Sequence, residues 1–406
     1  MAIIDAKLYN HRMFDEFDSA YWGFSSECLD GNMYFSLCTH KPNKSAGIFQ
    51  FDINKKEIKY LFSIDEKIKN NKLGSTPHGK VHTNLFLGID NKYYFGTHFA
   101  YPNCIPQSVN YEGGRLLGFD PCSGLVEDHG VLIEGEGIVT MIIDKNRMHC
   151  YILTSPSGYF VDYSINNRKI YYSSKLNLNG ESICRSLGLD NNGIVYGCKE
   201  GYQVFKYDYR DQVFSFINTN FSSISPEVEE WNSVKKQGAN KVGRKMWRCI
   251  EFDHETNVFY GINAADSSLF KFNKETNQFE NVAKLNKLNT KSVYPNLTLS
   301  KNKNNFYYLP SDGKFDYKLS EEIESTSTLI SFNSKTKDIK DHGSVYGLDN
   351  LVIFGAASAM CYKDGSLYLI GAVKCETIKE QNEYLKFDKN YFKIRLIEIT
   401  KDSLSK

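Results

Sequence analysis

No stretch of this 406-residue chain approaches the roughly 18 consecutive apolar residues that a membrane-spanning helix needs. Charge of either sign is never concentrated: 49 Lys and Arg stand against 48 Asp and Glu, a formal net charge of +1. The one modest basic cluster runs from Lys235 to Lys245. Without a basic block or stripe, neither nucleic acid nor a membrane surface is expected as a partner. The opening MAIIDAKLYNHRMF lacks the basic and apolar regions of a secretory signal. The expectation is a cytoplasmic protein if the chain is full length, and a secreted one if a signal has been removed.

Paired cysteine motifs are missing too. The ten cysteines are scattered singly with no CxxC, and Cys28, Cys150, Cys184, Cys198, Cys249 and Cys361 sit inside apolar, strand-like runs. Buried free thiols are expected, since an unpaired cysteine behaves as a small hydrophobe. There is no glycine-rich phosphate loop, no nucleophile elbow and no paired-carboxylate motif, so nucleotide binding and serine-hydrolase chemistry have no support. No segment of about 12 residues keeps a 3.6 period, which makes helix a minor component.

What is abundant is aromatic: 27 Tyr and 27 Phe, 14% with tryptophan, in short runs separated by Asp, Asn and Gly. A unit of about 40 to 55 residues recurs. It holds a small-and-apolar strand, a turn at Asp, Asn or Gly, an aromatic strand, an F-x-F-D-like strand and a last short strand. Seven copies fall at about 20–66, 78–133, 134–176, 180–217, 244–285, 292–346 and 349–400. Four short antiparallel strands cannot bury both faces alone, whereas radial packing of seven such units can. The expected fold is all-β: a seven-bladed β-propeller with four antiparallel strands per blade, residues 1–406 forming one domain. Three segments break the period, at 99–114, 218–243 and 310–326, and loops of that length tend to be functional or mobile.

The stretch STPHGKVHTNLFLGIDNKYYFGTHFAY, residues 75–101, reads as a hairpin turning at Asp90-Asn91. That register sets Thr83 opposite His98, with His82 beside the pair and His78 and Lys80 further out. The same arithmetic brings Trp22 and His40 to one end of the first unit, Glu136, Thr140 and Tyr151 to the third, and Arg185 opposite Cys198, followed by Glu200 and Tyr202, to the fourth. Trp247, Arg248 and Asn263 come from the fifth, and Tyr294 and Asn296 from the sixth. An arginine facing the axis needs an anionic partner, either Glu136 or Glu200 in a structural ion pair or a ligand carboxylate. His78 and His82, four apart on a strand, are about 13 Å apart and share no ion unless Pro77–Gly79 folds back. His82 and His98 could share one with a third ligand from another blade, giving a structural zinc or calcium site.

The segments HGKVHTNLFLGIDNKYYFGTH, GGRLLGFDP, TSPSGYFVDY and CRSLGLDNNGIVYG together resemble the propeller-type polysaccharide lyases, in particular the seven-bladed ulvan lyases, over about residues 75–285. The resemblance implies β-elimination at a uronate of an acidic polysaccharide or oligosaccharide. His78 or His82 with His98, and Tyr159 or Tyr202, would serve proton transfer, and Arg185 would neutralise the carboxylate. Lys80, Trp247, Arg248 and Asn263 would bind substrate, and no cofactor is required. The alternative is a non-catalytic propeller binding a glycan or protein through its axial face. A lyase needs base, acid and cation within about 3 to 4 Å of one cleft. In a binding scaffold the histidines would instead be engaged with one another or with backbone.

Overall fold

A computed structural model describes residues 3–17, 23–39, 41, 44–68, 76–99, 111–178, 182–224, 245–265, 268–284, 299–302, 304–309, 328–347, 353–374 and 392–405. Trp22, His40, Tyr294 and Asn296 lie outside them, as do most of the three period-breaking segments. The regular structure of the described residues is strand, except for short helical pieces such as Arg12–Glu16, Ile64–Ile68 and Lys401–Ser405. Among the described residues no helix is long and apolar enough to cross a membrane.

The strands come in seven successive groups, matching the seven expected units. The first sheet contains Asn32–Leu37, Gly47–Asp52 and Glu57–Ser63. The second contains Lys80–Val81, Phe86–Leu87, Tyr93–His98, Arg115–Phe119 and Val126–Val131. The third runs Gly137–Asp144, His149–Ser155, Tyr159–Ser164 and Lys169–Lys175. The fourth is Gly188–Leu189, Val195–Lys199, Gln203–Asp208 and Val213–Phe216. The fifth is Trp247–Asp253, Val258–Asn263, Ser268–Asn273 and Gln278–Lys284. The sixth is Leu299–Asn302, Asn305–Tyr308, Thr328–Asn333 and Ile339–Gly347. Ile353–Cys361, Leu367–Lys374 and Phe392–Ile399 form the last group. By compactness the chain divides into two units: Met1–Lys7, Gly180–Leu367 and Glu398–Lys406, and Leu8–Asn179 with Tyr368–Ile397.

Two departures from the regular four-strand pattern matter. In the first sheet the innermost strand is reduced to a bridge between Phe24 and Phe35. The second departure lies in a stretch that the repeat pattern assigns to no blade: Ile3–Tyr9 pairs in parallel with the outer strand of the sixth sheet, Ile3 opposite Ser344 and Ala6 opposite Gly347. Its alternation, Ile4 and Ala6 buried and Ile3 exposed, is that of a half-covered strand.

The F-x-F-D repeat has a local cause. Each third strand ends on a short polar residue whose side chain accepts backbone N–H groups two or three positions on. Asp52 caps Asn54 and Lys55, Asp120 caps Cys122 and Ser123, Asn273 caps Glu275 and Thr276, and Asn333 caps Lys335 and Thr336. Four positions after the capping residue the chain takes a left-handed step, at Lys56, Gly124, Arg168, Gln212, Asn277 and Lys337. A side-chain-capped turn with one left-handed residue is the geometry that closes a hairpin with a bulge.

Packing between sheets repeats as well. A tyrosine on the second strand of one sheet meets the aromatic residue ending the third strand of the next: Tyr34 on Phe119 at 5.7 Å, Tyr196 on Phe272 at 5.5 Å and Tyr260 on Phe332 at 5.2 Å between ring centres. Tyr368 of the last group meets Phe51 of the first at 5.9 Å. These tyrosines are buried, and two of the hydroxyls are satisfied by lysines from the left-handed turn position. Lys56 Nζ donates to Tyr368 at 2.9 Å and Lys337 Nζ to Tyr260 at 2.9 Å. Around such contacts lie apolar clusters between neighbouring sheets, for example Ile138, Met141, Cys150, Ile152 and Val161 with Tyr94 and Leu116. As expected, Cys150, Cys184, Cys198 and Cys249 are buried free thiols, while Cys28 and Cys361 are only half-buried.

The turn analysis carries a test. Gln212 is exposed and left-handed, with φ 53°. Gln212→Val is expected to lower stability by about 1–2 kcal/mol, because a β-branched residue resists that conformation. Gln212→Gly should leave stability unchanged or higher. Equal thermal midpoints for the two variants would contradict the account.

Candidate functional site

The hairpin that holds the histidines is closed differently from the two-residue turn expected of Asp90-Asn91. Gly88 N–H donates to Lys92 O, so the turn spans five residues, with Asn91 left-handed at φ 61°. Phe86 therefore pairs with Tyr94, and Leu87 with Tyr93. Leu85 then leaves the hairpin: its N–H donates to Phe24 O and its carbonyl accepts from Ser26 of the first sheet. Pairing resumes with Lys80 opposite His98 and Val81 opposite Thr97. The expected Thr83–His98 pair is thus replaced by Lys80–His98, and Thr83 Oγ1 instead accepts from Gly96 N–H at 3.0 Å. The wider turn shifts the register by one residue and the interruption at 82–85 by two more.

His82 and His98 still come together, with ring centres 5.7 Å apart. Both are half-buried and both are tied to backbone: His82 Nδ1 lies 2.8 Å from Val139 O and His98 Nδ1 3.0 Å from Phe99 O. The His98 ring lies flat over Gly137, where a Cβ would come within 2.6 Å of it. These two histidines join the second sheet to the first strand of the third. Aromatic contact then continues inward, from His98 to Phe99 at 4.2 Å, on to Tyr111 at 5.1 Å and to His78 at 5.9 Å.

His78 is wholly buried. Its Nδ1 is 2.9 Å from Thr97 Oγ1, which also accepts from Arg115 N–H at 2.8 Å. The Thr97 hydroxyl lies nearer His78 Nδ1 than Arg115 O, which is 3.4 Å away. Glu112 Oε1 stands 3.9 Å from Nε2. Arg115 in turn forks between Glu112, at 2.7 Å, and Asp128, at 2.5 Å. Burial, and then the nearby Arg115 charge, push the His78 pKa down to about 3. Lys80 is also buried, only 6% exposed, so it is no open cation at a rim. Thr97, Phe99, Tyr111, Glu112 and Arg115 were not singled out by sequence reasoning. The Arg in GGRLLGF, at the head of an apolar strand, was the one available signal.

Glu136 has its own partners: Thr154 Oγ1 at 2.8 Å, Ser157 N–H at 2.9 Å and Gly158 N–H at 3.2 Å. Tyr159 opens the third strand of the third sheet, its N–H on Thr154 Oγ1 and Lys175 Nζ 5.7 Å over its ring.

The remaining candidates belong to the other compact unit. Cys184, rather than Arg185, faces Cys198: its N–H donates to Cys198 O at 2.8 Å, and Ile183 bridges Lys199. The one-residue slip turns Arg185 to the opposite side from that expected. Glu200 Oε2 accepts from Ser182 N–H at 3.0 Å. Tyr202 is held left-handed at φ 59°, its N–H on Lys245 O and its ring 4.7 Å from Phe221. Trp247 is wholly buried, pairs with Asn263, and donates Nε1–H to Ser186 O at 2.9 Å. Arg248 is the bulged residue between Trp247 and Cys249. Asn263 is buried, its Oδ1 accepting from Ala265 N–H at 3.0 Å. Among the described residues no group of three or more His, Cys, Asp or Glu is placed to hold a metal, so no third ligand joins His82 and His98 there.

The strand groups and their packing define the class: an all-β chain of the β-propeller fold. Solved structures agree. The chain is similar to U3-55K, with a TM-score of 0.59 and 9% identity over 97% of this chain and 98% of that one. It is similar to the WD40 repeats of RRP9, also with a TM-score of 0.59 and 9% identity, over 98% and 99% of the two chains. At that identity the likeness is one of fold. No protein-family model matches the chain, and no curated protein matches it.

These comparisons overturn the resemblance to ulvan lyases, because the solved chain of RRP9 that this chain is similar to is one of WD40 repeats and not a lyase. The acidic polysaccharide partner falls with it. The physical reason lies in the quoted segments: LLGFD, FVDYS and the small-aromatic strands are hairpin and packing features of a blade, not marks of a uronate site.

The state of His78 predicts a pH dependence. A folded-state pKa of about 3 lies below the unfolded value near 6.5, so the neutral ring's contribution is complete above pH 6.5. It is lost on acidification towards pH 3 at up to about 1.4 kcal/mol per pH unit. Denaturant unfolding from pH 7 to pH 4 should be shallower in pH for His78→Gln than for the native chain. Parallel pH curves would refute a buried, neutral His78.

Proposed function

We propose that this chain is a non-catalytic β-propeller that binds a protein partner, with the half-exposed His82, His98 and Phe99 on its contact face. The observation that carries the reading is the engagement of the histidines. His82 and His98 are tied to the carbonyls of Val139 and Phe99 and touch each other, and His78 is buried on Thr97. That is the arrangement expected of a scaffold. A proton carrier must reach the proton it moves, and a fully buried His78 of low basicity is poorly suited to that. Ring chains that run from the interior to a half-exposed edge give a partner rigid aromatic contact at little entropic cost.

The test is cross-linking of the native chain in cell extract, with mass-spectrometric mapping of the linked residues. Partner links are expected to concentrate around residues 78–99. A His82→Ala, Phe99→Ala double variant, shown to be folded by circular dichroism, should lose most of them. Undiminished links in that variant, or release of unsaturated uronate from a panel of acidic polysaccharides, would overturn the proposal.

A further inference from the structure

Charge is balanced, paired or absent on five of the outer strands of the first six sheets. Glu57 stands with Lys59 in the first sheet, and Lys340 with Asp341 in the sixth. Glu127 and Asp128 of the second are held by Lys92 at 2.7 Å and Arg115 at 2.5 Å, and Glu280 of the fifth by Lys271 at 2.9 Å. The fourth, Val213–Phe216, carries none. The third, Lys169–Lys175, carries two cations and no anion, and residues 163–180 contain no Asp or Glu. The one carboxylate on the neighbouring strand, Asp162, is buried against His149 Nδ1 at 2.6 Å. Lys169, Tyr171, Ser173 and Lys175 are all exposed, and among the described residues neither lysine has an ion-pair partner.

Both lysines are nevertheless held in place. Lys169 Nζ lies 5.8 Å over the Tyr171 ring and Lys175 Nζ 5.7 Å over that of Tyr159. Tyr171 is fixed in turn, its hydroxyl accepting from Asn167 Nδ2 at 2.8 Å and its ring 5.1 Å from His149. A cation over an aromatic face keeps its charge but gives up part of its side-chain freedom, so it loses less entropy when it meets an anion. The ladder sets where the two emerge. Lys175 is opposite Tyr159 and Lys169 opposite Ser164, with Tyr171 the extra residue of a bulge. Tyr159 and Ser164 are five apart, so the lysines leave the sheet on opposite faces, about 17 Å apart along the strand.

We infer that this outer strand receives an extended acidic segment of a partner protein, with carboxylates five residues apart meeting Lys169 on one face and Lys175 on the other. An extended chain alternates its side chains as the sheet does, so residues i and i+5 point to opposite faces at the same spacing of about 17 Å. An even separation would put both on one face. Charge complementarity chooses the occupant, since two ordered lysines with no carboxylate of their own attract anions. It also favours a short acidic segment over a nucleic acid. Arg168 donates to Asp128 O at 2.6 Å, so the strand that carries Glu127 and Asp128 lies alongside. A phosphate backbone extending past Lys169 on that side meets those carboxylates, and two lysines neutralise few phosphates. The inference rests on the reading of the chain as a protein-binding propeller and gives it a second contact.

Titration of the isotope-labelled full chain at low salt with the capped peptide Asp-Thr-Val-Ser-Thr-Asp, read by the amide shifts of residues 168–175, tests it. Shifts are expected there, with binding about tenfold weaker for the peptide Asn-Thr-Val-Ser-Thr-Asn and lost in about 0.5 M salt. Lys169→Gln and Lys175→Gln should each weaken binding about threefold, and together about tenfold, the scale of exposed ion pairs. The peptide Asp-Thr-Val-Ser-Asp-Thr, whose carboxylates share a face, should bind no better than either single variant does. Equal binding of the Asn peptide, equal binding of the same-face peptide, undiminished binding by the double variant, or shifts confined to other strands would each overturn the inference. An oligouridylate that shifts the same residues at lower concentration than the peptide would overturn it in favour of nucleic acid. Partner cross-links at residues 78–99 with no peptide binding would refute this strand alone, whereas peptide binding without those cross-links would refute only the first contact face.

Discussion

The contact on which the described sheets most depend is that of a second-strand tyrosine on the aromatic residue that ends the next sheet's third strand. One strand alone could place its tyrosine on either face. The pleat fixes that choice only when a neighbouring sheet offers a ring at the right height, and Phe119, Phe272, Phe332 and Phe51 do so. Each pair is worth about 0.5–1.5 kcal/mol beyond the area it buries. Its larger effect is on register, because a slip of one residue would turn every tyrosine away from its partner. The capped turn after the third strand serves the same end. Its left-handed residue brings Lys56 and Lys337 back over those rings, where they satisfy hydroxyls that burial would otherwise strand.

Much of the fold was legible in the sequence because these constraints are local. An F-x-F-D-like run marks a strand, a cap and a turn within five residues, and its copies located six of the seven groups, the last ending instead on the divergent FKIRLIEI. What could not be read depended on partners distant in sequence. Leu85 leaves its own hairpin for Phe24 and Ser26, and that exchange, added to a turn one residue wider than expected, moves His98 from Thr83 to Lys80. Cys184 takes the place beside Cys198 that simple counting gives to Arg185. In both cases a slip of one to three residues decides which side chains meet, and nothing in the residue types announces it.

The histidines show how composition can point to the right place and the wrong role. Two of the three in a short hairpin, His82 and His98, come into ring contact, while His78 is joined to them only through Phe99 and Tyr111. His82 and His98 hold the second sheet to the third through the carbonyl of Val139 and the bare backbone of Gly137. His78 fills the interior beneath Thr97. A buried histidine that stays neutral is a rigid polar filler, able to satisfy a hydroxyl where a charged group would need a counter-ion.

Ile3–Tyr9 joins the sixth sheet through residues made more than three hundred positions later, at Ser344–Gly347. A contact of that separation belongs among the slowest to form. Until Ser344–Gly347 has been made, the strand Ile3–Tyr9 lacks this partner, so its alternating apolar face stays without that cover while the intervening sheets are built.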